Sequence, residues 1–135
     1  MFEPGGEVGL VEVGGWRVGL AICYDAGVPG HAQEAAAAGA HVYLASSLYT
    51  MDEVRRIDLH LGARAMDNRM YAVAANHAGN GPGWESCGGS GVWHPDGRRV
   101  VEAGRDPELV IYTLSRAELK EIREADARKG YPRPE

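Results

Sequence analysis

Residues 16–22 (WRVGLAI) form an apolar run that leads directly into residues 23–30 (CYDAGVPG). The first stretch has the composition of a buried strand, and the glycines and proline of the second indicate a turn before an alanine-rich helix. Cys23 therefore stands at a corner between a strand and a helix. A thiol at such a corner is presented at the sheet edge, beside backbone N–H groups that can stabilise negative charge. Because most cysteines are inert packed residues, this placement alone does not identify a nucleophile.

The whole chain predicts an α/β fold with a mixed sheet and flanking helices. Strands are predicted over residues 8–13, 17–22, 41–45, 71–75, 89–94, 99–102 and 109–114, and helices over residues 31–38, 52–68 and 116–128. Residues 13–16 (VGGW) and 95–98 (PDGR) are hairpin signals. Ser115, followed three residues later by Glu118, is a capping-box pattern at the start of the last helix.

The strands at residues 18–22 and 71–75 are apolar at nearly every position, so both faces of the sheet should be covered. Three helices can cover one face. The second face needs a cover that this chain scarcely contains.

Four blocks of sequence resemble, in order, the carbon–nitrogen hydrolase (nitrilase/amidase) family. They are residues 18–25 (VGLAICYD) with Pro29, residues 38–47 (AGAHVYLASS), residues 63–76 (ARAMDNRMYAVAAN) and residues 87–97 (CGGSGVWHPDG). The resemblance implies a four-layer α-β-β-α sandwich, of which this chain supplies the C-terminal half. It also implies hydrolysis of a small amide, N-carbamoyl compound or nitrile through a thioester at Cys23, with the backbone N–H of Tyr24 binding the oxyanion.

The family also uses a glutamate base and a lysine, both upstream of the cysteine. Here the lysines are Lys120 and Lys129, in or beyond the last helix, and the three glutamates before Cys23 do not lie in a base motif. We therefore expect residues 1–135 to be a partial domain without the half that carries those motifs, and to be catalytically poor alone. A fragment, a misplaced start at Met1 and one product of a split gene all remain open.

Within the matching motif the chain departs from many relatives at two positions. Gly27 and Gly30 stand where relatives carry an arginine and a glutamate. Those charged side chains tend to fix the loop and the approach to the site, so the substrate stays unassigned at this stage.

Polar residues that follow the next strands are further candidates. Ser47 and Tyr49, with Ser46, lie where relatives place pocket-lining residues, and an ordinary loop remains the alternative. Asn76 is interpreted as a loop cap and Asp25 as a residue that organises the turn after Cys23 or is simply exposed there. Structural roles in ion pairs and capping are predicted for Arg64, Asn68 and Arg69.

The net charge and the apolar pattern of the chain limit which classes of partner we expect. A net charge of −5 argues against nucleic acid or an anionic membrane as a partner. There is no apolar run near 18 residues and no signal-peptide pattern, so we expect a cytoplasmic protein in which Cys23 and Cys87 are reduced. The histidines show no metal-ligand spacing, and neither a metal nor a cofactor is predicted.

Three functions stay open from the sequence. The first is the amide or nitrile hydrolase described above, active when the missing half is present. The second is a noncatalytic binding or assembly module of the same fold. The third is another acyl hydrolase that pairs Cys23 with His77 or His94. A homo-oligomer, or a complex with a complementing N-terminal half, is expected in the first case.

Overall fold

A six-stranded mixed sheet forms the centre of the computed structural model, which describes residue 3 and residues 5–131. The strands follow the order β1 (Gly9–Val13), β2 (Trp16–Ile22), β3 (Val42–Ser47), β4 (Tyr71–Asn76), β7 (Gly91–Trp93) and β8 (Arg99–Glu102), and β5 (Asn80–Gly81) with β6 (Trp84–Glu85) forms a separate hairpin. The helices are α1 (Pro29–Ala37), α2 (Val54–Asn68) and α3 (Arg116–Arg128). Strands β2, β3 and β4 are parallel and the outer pairs are antiparallel. The predicted fold class is confirmed.

The predicted turns and cap are also confirmed. Gly14 and Gly15 join β1 to β2 with φ angles of 54° and 80°, the backbone that a two-residue hairpin turn requires. Residues 95–98 join β7 to β8. The Ser115 side chain accepts a hydrogen bond of 3.1 Å from the Glu118 N–H at the start of α3.

The strand predicted over residues 109–114 is wrong. This segment is irregular, and Leu109 and Ile111 are 85 % and 81 % exposed. A strand exists only through hydrogen bonds to a neighbour. No strand in the described part of the chain pairs with these residues. Their apolar and β-branched side chains favour a strand, but without a neighbouring strand no β-ladder forms.

Helices α1 and α2 cover one face of the sheet. Small residues on the strands allow this close packing: a Cβ atom built on Gly19 would lie only 2.8 Å from the Cβ of Ala35 in α1. Larger side chains then fill the centre, among them Tyr43, Leu61 and Trp93, each with 0 % exposure. This layer holds the C-terminal ends of β2 and β3 in place.

Helix α3 lies on the opposite face, although we expected all three helices to share one face. Leu119 of α3 is buried in one cluster with Val42, Tyr71 and Val92. This cluster covers the ends of β3 and β4 at which those strands begin. Toward the other end the same face is open: Leu20 and Ile22 are 38 % and 72 % exposed. The open apolar surface therefore adjoins Cys23.

Polar contacts fasten α3 to the sheet. The Tyr71 hydroxyl lies 3.1 Å from Glu118 Oε2, and His94 Nε2 lies 3.1 Å from Glu118 Oε1. At the other end of α3, Arg69 Nε donates to Asp126 at 2.6 Å. Desolvation by burial raises the pKa of Tyr71 to about 12, with the Glu118 carboxylate acting in the same direction.

The stability of the protein should therefore fall in alkaline solution. The Tyr71 phenol ionises near its ordinary pKa of 10.0 when the chain is unfolded, but near 12 in the folded state. Ionisation thus favours the unfolded chain as pH rises from about 10 to 12. We expect Tyr71→Phe to lose less free energy of unfolding between pH 8 and pH 11 than the unchanged chain, measured by urea denaturation. Tyr24→Phe, at an exposed site, is the control, and equal losses for Tyr71→Phe and the unchanged chain would contradict the expectation.

Candidate active site

Cys23 directly follows strand β2 in an uncommon backbone conformation. It opens a 3-10 turn, Cys23–Gly27, with a φ of 46°, and it is one of two non-glycine residues with positive φ among the described residues. A non-glycine residue in this region costs about 1–2 kcal/mol and persists only where the surroundings hold it. Here the Asp25 carboxylate accepts a hydrogen bond of 2.9 Å from the Ile22 N–H, and Val28 N–H donates to the Asp25 carbonyl at 3.0 Å.

A second layer supports that turn from below. The Tyr43 hydroxyl lies 2.9 Å from His31 Nδ1 and donates to the Asp25 carbonyl at 3.3 Å. Burial raises the pKa of Tyr43, and the Asp25 charge raises it further, so the phenol stays protonated. The turn-organising interpretation of Asp25 is therefore confirmed.

A cleft of about 420 Å³ opens beside Cys23. Three elements form it: the turn after β2, the loop after β3, and the beginning of α2. Its lining residues are Cys23, Tyr24, Gly27, Leu48, Tyr49, Glu53, Arg56 and His60. The structure thus brings Cys23, Tyr24 and Tyr49 together, while Ser47 lies at the end of β3 outside this lining.

Glu53, Arg56 and His60 line the cleft but were not among the candidates from sequence. Glu53 accepts the Thr50 N–H at 3.2 Å and pairs with Arg56 at 2.7 Å. His60 Nδ1 lies 3.2 Å from the Tyr49 hydroxyl. Their spacing of three and four residues in a predicted helix was the available signal, because it places them on one helix face.

Tyr49 and His60 are both held in their neutral forms. Burial raises the pKa of Tyr49, with smaller contributions from the charges of Cys23 and Glu53. Burial also lowers the pKa of His60, and the Arg64 and Arg56 guanidinium groups lower it further. Part of the cleft lining is therefore a phenol and a neutral imidazole that share one hydrogen bond.

Asn76 fixes the loop that carries Tyr49. Its Oδ1 accepts the Tyr49 N–H at 2.7 Å, and its Nδ2 donates to the Gly88 and Tyr49 carbonyls at 2.7 and 3.2 Å. The prediction that Asn76 caps a loop is confirmed. Ser47 Oγ, by contrast, is buried and has no hydrogen-bond partner in the structure.

The remaining polar candidates have structural contacts. Arg69 pairs with Asp126 of α3 and donates to the Pro95 carbonyl at 3.0 Å, and Asn68 Nδ2 donates to the Arg64 carbonyl at 3.0 Å. Arg64 is buried, and its Nε has no hydrogen-bond partner in the structure. Ser46 is exposed on the open face of the sheet.

Neither histidine of the predicted Cys–His pairs reaches the cleft. His94 lies between Asp96 and Glu118, beside Tyr71 at the end of the sheet opposite Cys23. His77 stacks edge-on against Trp84 at 5.3 Å. The Cys23 pairings with His77 or His94 are therefore wrong, because the sheet holds His94 at its opposite end, His77 packs against Trp84, and neither ring lines the cleft.

The two cysteines differ in their surroundings. Both are free thiols, Cys23 half-buried and Cys87 buried. Burial raises the pKa of Cys87, which disfavours its thiolate.

Within residue 3 and residues 5–131 no three His, Cys, Asp or Glu side chains are grouped to hold a metal ion. None of the described helices is long and apolar enough to cross a membrane.

The chain is similar to known carbon-nitrogen hydrolases. The family model for carbon-nitrogen hydrolases matches residues 1–124. The hydrolase in the pqqF 5' region of Pseudomonas protegens is 36% identical over 136 residues, which cover 100% of this chain and 48% of that protein. An (R)-stereoselective amidase from a Pseudomonas species is 36% identical over 124 residues, covering 90% of this chain and 45% of that protein.

A solved structure of a Nesterenkonia AN1 amidase of the nitrilase superfamily superposes with a TM-score of 0.79 at 31% identity, covering 97% of this chain and 50% of that one. Another structure of the amidase from that source shows acrylamide added at its active-site cysteine. The present chain spans about half the length of the curated relatives it matches.

Proposed function

The chain belongs to the carbon-nitrogen hydrolase family, and from this membership we propose that it hydrolyses small amides through a thioester at Cys23. The observation that carries the proposal is the position of Cys23, which is held at a φ of 46° where β2 meets the cleft. Strained residues of this kind cluster at active sites. N-carbamoyl compounds and nitriles are the alternative substrates of the same chemistry.

The proposed reaction has two steps. The Cys23 thiolate attacks the amide carbon, and the tetrahedral intermediate expels the nitrogen as ammonia after it takes up a proton, leaving an acyl thioester. Water then attacks the thioester, which releases the carboxylic acid and restores the thiol. The backbone N–H of Tyr24 is proposed to bind the oxyanion in both steps; one such donor contributes about 2.7–4 kcal/mol to transition-state stabilisation.

A proton shuttle and a second oxyanion donor are needed from outside the described cleft. We propose that residues 1–135 are the C-terminal half of a domain, and that a glutamate and a lysine come from a segment that covers the open sheet face. Two features support this: the exposed Leu20 and Ile22 adjoin Cys23, and residues 109–114 have strand composition without a strand partner. That segment is either a complementing chain or a further part of this protein.

Tyr49 and Ser47 are the proposed substrate contacts. Tyr49 lines the cleft with Cys23. Ser47 Oγ is buried without a hydrogen-bond partner in the structure, and such groups are costly unless something satisfies them. Ser47 ends β3 two residues before Tyr49, and we propose that a substrate bound in the cleft reaches its hydroxyl. We also propose that the protein forms a homo-oligomer. We propose a cytoplasmic location, with which the two free thiols are consistent.

A noncatalytic module of the same fold is the second candidate. The observation that favours it is that Glu53, the carboxylate in the cleft lining, is already paired with Arg56 at 2.7 Å. Ammonia release from small amides distinguishes the two candidates. The hydrolase should release ammonia in a reaction that depends on Cys23, whereas the noncatalytic module should release none.

The assignment of Cys23 as the nucleophile predicts its selective modification. With limiting iodoacetamide on the folded protein at pH 8, we expect Cys23 to be alkylated at least about tenfold faster than Cys87, because Cys87 is buried and its raised pKa disfavours the thiolate. Peptide mass spectrometry measures both rates. In 8 M urea the two rates should become similar, and faster labelling of Cys87 in the folded protein would reject the assignment.

A further inference from the structure

Gly27 and His60 lie against each other in the lining of the cleft. A Cβ atom built on Gly27 would lie 3.0 Å from His60 Cε1 and 3.4 Å from Nδ1, closer than ordinary van der Waals contact. A side chain at position 27 would therefore press on the imidazole, which would have to shift to make room for it. Gly30, the other glycine that departs from the family pattern, has open space around it. The absence of a side chain at position 27 is therefore matched by a ring supplied from α2.

The ring is not an isolated group. Its Nδ1 lies 3.2 Å from the Tyr49 hydroxyl, and the two rings meet edge to face with centroids 6.2 Å apart. One hydrogen atom lies between Nδ1 and the phenol oxygen. If the phenol donates it, the imidazole N–H at Nε2 remains; if the imidazole donates it, the phenol O–H remains. In either arrangement the pair keeps one donor for another molecule.

The charges around the pair favour an electron-rich ligand. Arg56 and Arg64 lie near His60 on the same helix, and Glu53 is the acidic residue whose charge acts on it. Glu53 is already paired with Arg56 at 2.7 Å, and Arg56 remains 59 % exposed at the rim. A hydrogen-bond acceptor entering the cleft would meet a neutral donor with net positive charge behind it.

The reaction proposed at Cys23 determines which part of the substrate occupies the cleft. When a primary amide is cleaved, the leaving group is ammonia, so the rest of the substrate is its acyl chain. Cys23 and the Tyr49–His60 pair line the same cleft of about 420 Å³. An acyl chain that starts at the Cys23 sulfur can therefore extend toward the pair.

We propose that Tyr49 and His60, packed against Gly27, form an acyl-recognition pair that selects amides whose acyl chain ends in a hydrogen-bond acceptor. This inference rests on the proposed function, because it assumes acylation at Cys23. It assigns to His60 the specificity role that a side chain at position 27 cannot fill in this chain.

Acyl transfer to Cys23 from activated esters tests the pair in the chain alone, without the proposed covering segment. The probes are the p-nitrophenyl esters of pentanoic acid and of glutaramic acid, which differ in a methyl or a carboxamide end. Attack by the thiolate expels p-nitrophenolate and leaves one acyl group on Cys23. The rate of acyl-Cys23 formation is measured by peptide mass spectrometry, with Cys23→Ala as the blank.

We expect the carboxamide ester to acylate Cys23 about three- to tenfold faster than the pentanoyl ester, the range for one hydrogen bond. In His60→Leu and Tyr49→Phe this ratio should fall to about 1. The pentanoyl rate in each variant serves as the check on folding, since a loss of structure lowers both rates.

Two glycine substitutions distinguish a specific effect on the Tyr49–His60 pair from a general effect of adding a methyl group to this loop. Gly27→Ala should displace the His60 ring and lower the ratio, whereas Gly30→Ala should leave it unchanged, because nothing lies within 4 Å of its added carbon. A ratio near 1 in the unchanged chain, or a ratio that survives in His60→Leu, would overturn the inference. If Cys23 still reacts with iodoacetamide but neither ester acylates it, the proposed function would instead be rejected, because an accessible thiol that accepts no activated acyl group cannot carry the thioester.

Discussion

Ammonia release from small amides is expected to require Cys23 and a segment that covers the open face of the sheet. In protein supplied with such a segment, Cys23→Ala should lower turnover by more than about 10³-fold, as removal of a covalent nucleophile does in other hydrolases. Cys87→Ala is the matched control and should retain turnover, because Cys87 lies outside the cleft lining. The measurement is ammonia release from a panel of amides, N-carbamoyl compounds and nitriles.

The isolated chain should give no Cys23-dependent ammonia. The cleft contains Glu53, but its carboxylate already accepts the Thr50 N–H and pairs with Arg56, so it is poorly placed to shuttle protons. Robust turnover by the isolated chain would show that Glu53 or another residue of these 135 supplies the base. No turnover by a well-folded protein that carries both a glutamate and a lysine on the cover would favour the noncatalytic module.

A segment that covers the open face of the sheet should raise both catalytic activity and folding stability. Monomeric proteins seldom expose contiguous apolar patches beyond a few hundred Å². Here Leu20 and Ile22, 38 % and 72 % exposed, lie on the strand that leads into Cys23. A segment that buries them would also approach the thiol, so one binding event can complete both the core and the site.

Much of the fold could be predicted from local pattern alone. The parallel strands are continuous apolar runs, and α2 and α3 have periodic apolar positions with caps, so their positions follow from period and composition. Residues 109–114 show where this reasoning fails. Their composition predicts a strand, but a strand also requires a partner, and no partner for them is present among the described residues.

The candidate site was predictable only in part for a similar reason. Cys23 and Tyr49 follow consecutive parallel strands, and the C-terminal ends of such strands meet at one edge of the sheet. His60 is different, because its role depends on a contact with Gly27 that lies 33 positions earlier in the numbering. No periodicity in either segment encodes that contact, which arises when α2 packs beside the turn.

Asn76→Ala is expected to lower the free energy of unfolding by about 2–4 kcal/mol. The amide of Asn76 accepts the Tyr49 N–H and donates to the Gly88 carbonyl, both at 2.7 Å within a buried site. Alanine can do neither, and each buried backbone group left without a partner costs about 1–3 kcal/mol. Urea denaturation measures the loss, with Asn80→Ala at an exposed position as the control.

The same substitution should also alter the cleft, because Asn76 holds the backbone from which the Tyr49 ring extends. We expect the carboxamide-to-pentanoyl acylation ratio at Cys23 to fall in Asn76→Ala even at temperatures where the protein remains folded. A stable Asn76→Ala protein would contradict the structural role of this amide. A destabilised protein with an unchanged ratio would show that Asn76 supports the fold but that the position of Tyr49 is set by its contact with His60.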